Sequence, residues 1–109
     1  MIELVTLDEA KQHLRIDDDY GDTDLTLKIQ GGSAAILSYV QGSRQLIVAD
    51  NTNALIEGEA LSRVKTALLV LLGMLDRNRG GEEEEKLKQG ELPFSVSMLI
   101  YDLRRPSIL

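Results

Sequence analysis

The chain has no cysteine. That excludes a disulfide scaffold and a cysteine-ligated zinc or iron–sulfur centre, and it fits a reducing compartment. Aromatic residues are scarce: Tyr20, Tyr39, Tyr101 and Phe94 are the whole set. A core here must be aliphatic, built from Leu, Ile, Val and Ala. Histidine occurs once, at His13. A zinc site needs several N, S or O ligands brought together. Nothing in the chain pairs with His13, so it reads as a surface residue. Basic excess is also missing, because the formal net charge is −6. A protein that grips duplex DNA gains affinity by neutralising phosphates with Lys and Arg, and this chain as a whole is repelled. Arg77 with Arg79, and Arg104 with Arg105, are the candidates for a local basic patch. Each pair sits near an expected helix C-terminus, where cations are favoured for a reason unrelated to DNA. Long apolar runs are missing as well. The longest, Ala67 to Leu75, falls far below the ~20 residues needed to span a bilayer. Met1 is followed by Glu3 and Asp8 rather than by a basic segment and an apolar run. The expectation is therefore no signal peptide, no membrane partner and synthesis in the cytosol.

Catalytic signatures are missing too. There is no G-x-S-x-G, no Walker A sequence and no G-x-G-x-x-G. Ser33 and Ser38 fall inside an expected helix with no histidine base in register. Carboxylates are plentiful but lie in exposed runs, whereas a catalytic pair needs a pocket that shifts its pKa. The cluster Asp17, Asp18, Asp19, Asp22 and Asp24 invites a calcium-loop reading. Counted from Asp17, the fifth position is Gly21, the sixth is Asp22 and the twelfth is Lys28, where an EF-hand loop wants an acidic or amide residue, Gly and Glu. The pattern fails. An acidic turn ahead of a helix N-terminus accounts for the cluster better, since the dipole favours anions there. The expectation is a protein that is not an enzyme, with no metal and no cofactor.

At 109 residues the chain has the length of one domain. Thr6-Leu7-Asp8-Glu9 opens a first helix with a capping box. Leu7, Ala10 and Leu14 share one face, and the helix stops near Ile16. Asp22 or Thr23 is expected to cap a second helix, with Leu25, Ile29, Ile36 and Val40 on its stripe and Gly42 at the C′ position that ends it. The Gly31-Gly32 pair either weakens this helix, by roughly 1 kcal/mol per glycine, or lets another helix approach closely. Ser43 to Gly58 is the least readable segment: Leu46-Ile47-Val48 suggests a short extended piece, and Asp50-Asn51-Thr52-Asn53 a turn. A third helix, Glu59 to Arg79, is the clearest. Leu61, Val64, Leu68, Leu71, Leu72 and Leu75 recur at the helical period. Leu69, Val70 and Met74 fill the remaining faces. A helix apolar on every side must be buried on every side, so these three either form a subunit interface or are wrapped by the chain itself. Gly80-Gly81 ends the helix, and a charged loop follows near 80–91. Pro93, expected at N1, opens a last helix over 93–104 with Val96, Leu99, Ile100 and Leu103 as its apolar face. The expected fold is all-α: a small bundle of three to four helices around a long central apolar helix, with one short strand-like segment at most.

Four stretches, in order, resemble one family. Leu7-Asp8-Glu9-Ala10-Lys11-Gln12-His13-Leu14-Arg15-Ile16-Asp17 resembles the opening of the small head–tail connector (adaptor) proteins of tailed bacteriophages. Tyr39-Val40-Gln41-Gly42-Ser43-Arg44 resembles that family's helix end. The stretch from Ala67 to Arg79 resembles its central apolar helix. Leu92-Pro93 through Val96, Leu99 and Arg105-Pro106 resembles its final segment. Two departures stand out: Asp76 occupies a position where Tyr is common, and Leu46 to Glu57 matches nothing in the pattern. The resemblance implies a structural virion protein at the head–tail junction, assembled in the bacterial host cytoplasm. It implies a ring of about twelve copies, matched to the portal by cyclic closure. That ring would sit under the portal protein, extend the DNA channel and receive the tail or a stopper protein, with DNA passing through unbound. Glu82, Glu83, Glu84, Glu85, Phe94, Arg104 and Arg105 are the expected partner-docking residues, and Leu69, Val70 and Met74 the expected subunit interface. For Glu82 to Gly90 a plain solvated connector is the alternative, and for the last helix a simple cap on the core. The competing function is a phage DNA-packaging or DNA-binding regulatory protein. The acidic charge and the lack of a recognition helix rich in Arg, Asn or Gln stand against it.

Overall fold

In the first helix, α1 (Leu7–Leu14), both halves of the capping box form. Thr6 Oγ1 accepts from the Glu9 N–H at 3.1 Å, and the Thr6 N–H donates to Glu9 Oε1 at 2.9 Å. The helix ends slightly earlier than expected, because Arg15 turns left-handed at φ 60°. These details come from a computed structural model that describes residues 2–49, 52, 54–77 and 92–103.

The second helix, α2 (Asp22–Tyr39), corrects two expectations. Its N-cap is Gly21, with no side-chain cap, rather than Asp22 or Thr23. The reason is competition: Asp22 Oδ1 is held by Lys11 Nζ at 2.9 Å, so its carboxylate serves another partner. At the other end Gly42 is not a C′ residue. Val40 caps the helix and the backbone tightens at once into a 3-10 turn, Gln41–Leu46. The Ser43 side chain anchors that turn, its Oγ donating to the Leu103 carbonyl at 2.7 Å in a buried bond. Leu46 therefore belongs to a helical turn, not to the extended piece. Among the described residues extended pairing is confined to one antiparallel bridge, Val48 with Leu55, flanked by Ile56 N–H to Ile47 O at 2.8 Å. Of the expected Asp50–Asn53 turn, all but Thr52 lies outside the described residues.

The central helix α3 (Glu59–Arg77) buries Leu61, Val64, Ala67, Leu68, Leu71, Leu72 and Leu75. Each fully buried Leu or Val contributes roughly 1.5–3 kcal/mol of transfer free energy. Helices α1 and α2 pack on it, as does the last helix, α4 (Phe94–Ile100). At Gly32 the α2 backbone comes so close that an added Cβ would lie 2.6 Å from Leu68 Cδ1. Close approach is thus the meaning of that glycine, while Gly31 has nothing within 4 Å of such an atom.

Pro93 sits one position earlier than expected: it is the N-cap of α4, not N1, and its carbonyl accepts from Val96 and Ser97 at 3.0 Å each. The expected 93–104 helix is split, since α4 passes into a 3-10 turn at Tyr101–Leu103. Two contacts set α4 antiparallel to α3. Ser95 Oγ donates to Met74 Sδ at 3.3 Å, and Arg63 Nη2 pairs with Asp102 Oδ2 at 3.3 Å. The N-terminal segment joins the core through Leu4 and Val5, and the Leu4 N–H donates to the buried Ser33 Oγ at 3.0 Å. The fold is all-α, a small helical bundle around α3.

Candidate protein-docking surfaces

Helix α4 is apolar on two opposite faces. Val96, Ile100 and Leu103 point inward and are buried. At 100° per residue the opposite face of α4 carries Phe94 and Met98, and Tyr101 follows them in the 3-10 turn, spaced four and then three. These are 77 %, 60 % and 65 % exposed. Burial of the inner stripe holds the helix in place, so the outer stripe is a fixed row of large side chains facing water. A monomeric protein gains nothing from such a row, and contiguous exposed apolar area marks interaction sites. Leu99, expected on the inner face, lies at its edge and is 37 % exposed.

The other expected docking residues divide as follows. Phe94 is on the outer stripe. Glu82, Glu83, Glu84, Glu85, Arg104 and Arg105 lie outside the described residues. Leu69, Val70 and Met74 are half-buried: they pack against the chain's own core and each leaves part of its surface to solvent. Met74 meets Ser95, the neighbour of Phe94, through its Sδ.

A groove of about 630 Å³ runs along α2. Ile2, Ala34, Leu37 and Ser38 line it, and it extends from Gln30 to Arg44. Gln30 Nε2 is fixed to Glu3 Oε2 at 3.1 Å. Arg44 is exposed and has no ion-pair partner among the described residues. The sequence pattern did not single out this groove, because Ala34 and Ser38 carry no signal until Ile2 is folded beside them.

The acidic turn is tied back to α1. Lys11 Nζ lies 2.9 Å from both Asp19 Oδ1 and Asp22 Oδ1, and its side chain is only 14 % exposed. The hydrogen bonds that Lys11 donates to Asp22 and Asp19 raise its pKa well above the ordinary value, and the bond from Lys11 holds Asp19 below the usual carboxylate range. Glu9 is also lowered, first by the Thr6 backbone bond and then by Lys65, whose Nζ lies 3.2 Å from Glu9 Oε2. Folded-state carboxylate pKa values below the unfolded ones mean stability that is fully present above about pH 4.5 and lost as pH falls through the folded values. The Lys11 contribution has the opposite sense, being lost only in strong alkali. Thermal melts should therefore drop between pH 5 and pH 3. Glu9→Gln keeps an acceptor for the capping box but removes the charge, and should shrink that drop. An unchanged pH slope in the variant would remove Glu9 from the account.

His13 is exposed on α1. Among the described residues no group of three or more His, Asp or Glu side chains is placed to hold a metal ion, and no helix is long and apolar enough to cross a membrane. The buried serines act structurally: Ser33 answers the Leu4 N–H and Ser43 the Leu103 carbonyl. What the surface offers is a row of large apolar side chains and a groove.

Residues 4–104 match the sequence family described as Phage gp6-like head-tail connector protein. No curated protein and no solved structure gives a significant match.

Proposed function

As a member of the phage gp6-like head-tail connector family the chain is a structural virion protein, and we propose that it forms a ring under the portal, joining the DNA-filled head to the tail. The family match across nearly the whole chain carries this reading. The exposed α4 stripe supports it, because an assembling subunit must present apolar surface that a monomer would hide. The ring extends the DNA channel, and a closed ring needs head-to-tail contacts around a rotation axis. About twelve copies would match the portal by that closure. The net charge of −6 lets DNA slide past without sticking.

The solvent-facing part of the half-buried Leu69, Val70 and Met74 adds to the subunit contact. Glu82–Glu85 with Arg104 and Arg105 contact the portal protein and the tail or stopper protein. Assembly takes place in the host cytoplasm. Electron microscopy of a phage lysate lacking this gene tests the reading. DNA-filled or DNA-leaking heads beside free, finished tails are the expected result. Empty, unexpanded proheads would overturn it in favour of a packaging protein.

A further inference from the structure

We propose that the α4 stripe of one copy seats in the α2 groove of the next, so that these two surfaces form the repeating contact of the ring. The inference rests on the ring reading and names the surfaces that would close it. Three observations carry it.

The first is shape. Phe94, Met98 and Tyr101 are large and stand out from α4, while the exposed floor of the groove is made by the small residues Ala34 and Ser38. A volume of about 630 Å³ has room for such side chains. The spacing also agrees: Phe94, Met98 and Tyr101 step by four and three, and so do Ala34, Ser38 and Gln41. Laid parallel, Phe94–Met98 and Ala34–Ser38 run in register over about 6 Å at 1.5 Å per residue, and each chain then passes into a 3-10 turn, at Tyr101 and at Gln41.

The second is charge. That parallel register brings the end of α4 to the Arg44 end of the groove. Asp102 closes the stripe with a carboxylate that is 77 % exposed, held from one side only by Arg63. Arg44 is exposed and unpaired among the described residues. A cation in the groove facing an anion on the stripe sets the direction of docking, in a chain whose net charge of −6 otherwise keeps copies apart.

The third is area. Three side chains of this kind, mostly exposed, present roughly 400 Å². That is about half of the ~800 Å² each partner gives to a stable interface. The stripe and the groove are different surfaces of one chain, so the contact is heterologous and leaves a free stripe at one end and a free groove at the other. Only that kind of contact propagates into a ring.

The chain has no cysteine, which makes the test clean. Ser38→Cys and Met98→Cys are made singly and together, and the proteins are mildly oxidised both in solution and in assembled virions. The double variant is expected to give a ladder of disulfide-linked multimers, while each single variant gives no ladder beyond a dimer. Ala34→Arg, at an exposed position, is expected to abolish the ladder while leaving the thermal melt in place. Native mass spectrometry of the unmodified protein and its particles runs beside this. Rings without a ladder would overturn this pairing of surfaces and leave the ring reading standing. No multimer in solution or in virions would overturn both.

Discussion

Replacing Gly32 by leucine is expected to cost more than about 3 kcal/mol, the upper part of the range for overpacking a filled core. The Cβ alone would lie 2.6 Å from Leu68 Cδ1 and 3.3 Å from Leu71 Cδ2. Both leucines are fully buried, so neither can swing into water to make room. The remaining three carbons of the new side chain have nowhere to go unless α2 lifts off α3. Against a total stability of about 5–15 kcal/mol, such a loss is large. Urea unfolding followed by far-ultraviolet circular dichroism would show it as a fall in midpoint. Alanine at position 32 sets two effects against each other. Helix propensity gains roughly 1 kcal/mol, while Leu68 must shift by several tenths of an ångström. The clash should win, and the variant should be the less stable. The neighbouring Gly31→Ala has no clash, so it should stabilise by up to about 1 kcal/mol. A Gly32→Leu midpoint equal to that of the parent chain would mean that α2 and α3 do not meet at this glycine.

These adjacent glycines mark where the sequence was legible and where it was not. The pair suggested either a weak helix or a close approach, and only the placement of α3 assigns one meaning to Gly32 and the other to Gly31. Local signals read well. The Thr6–Glu9 box is complete within four residues, and the α3 stripe repeats often enough to be unambiguous. Signals that depend on a distant partner read badly. Asp22 looked like a cap because the sequence does not show Lys11 folding back onto it. Gly42 looked like a helix end because the Ser43–Leu103 bond, which holds the chain in a 3-10 turn, spans 60 positions. Leu4 and Val5 are too short a run to show periodicity, yet they are buried. On the last helix the sequence pattern assigns Val96, Leu99, Ile100 and Leu103 to the inner face, and Leu99 lies only at its edge. The opposite row is represented in the sequence pattern by Phe94 alone, because Tyr101 is amphipathic enough to pass as ordinary surface and a single exposed apolar residue such as Met98 is common. For Leu69, Val70 and Met74, apolarity all round implies burial without saying by what. The chain's own core covers one side of each.

The outer α4 row leads to the second large effect. A chain carrying Phe94→Asp together with Met98→Asp should fold normally and fail to assemble. Both side chains are mostly exposed, so their loss leaves no cavity. Phe94 is the first residue of the helix, where an acidic side chain is favoured by the dipole. The thermal midpoint should therefore stay within a few degrees of the parent, as expected for surface changes of about 0.5 kcal/mol. Assembly is another matter. Each anchor in the centre of an interface is worth about 2 kcal/mol or more, and two carboxylates would enter an apolar contact. A loss of about 4 kcal/mol per contact is nearly a thousandfold in its equilibrium constant. In a ring the penalty recurs at every junction, so heads and tails should accumulate separately and plaque titre should fall by at least a hundredfold. Val96→Asp is the contrasting variant: it puts a charge on the buried face, and should lose fold and assembly together. Near-parental titre from the Phe94→Asp, Met98→Asp chain would show that the row is ordinary surface. A normal melt with failed joining would place the function of α4 on its outer face and its folding role on the inner one.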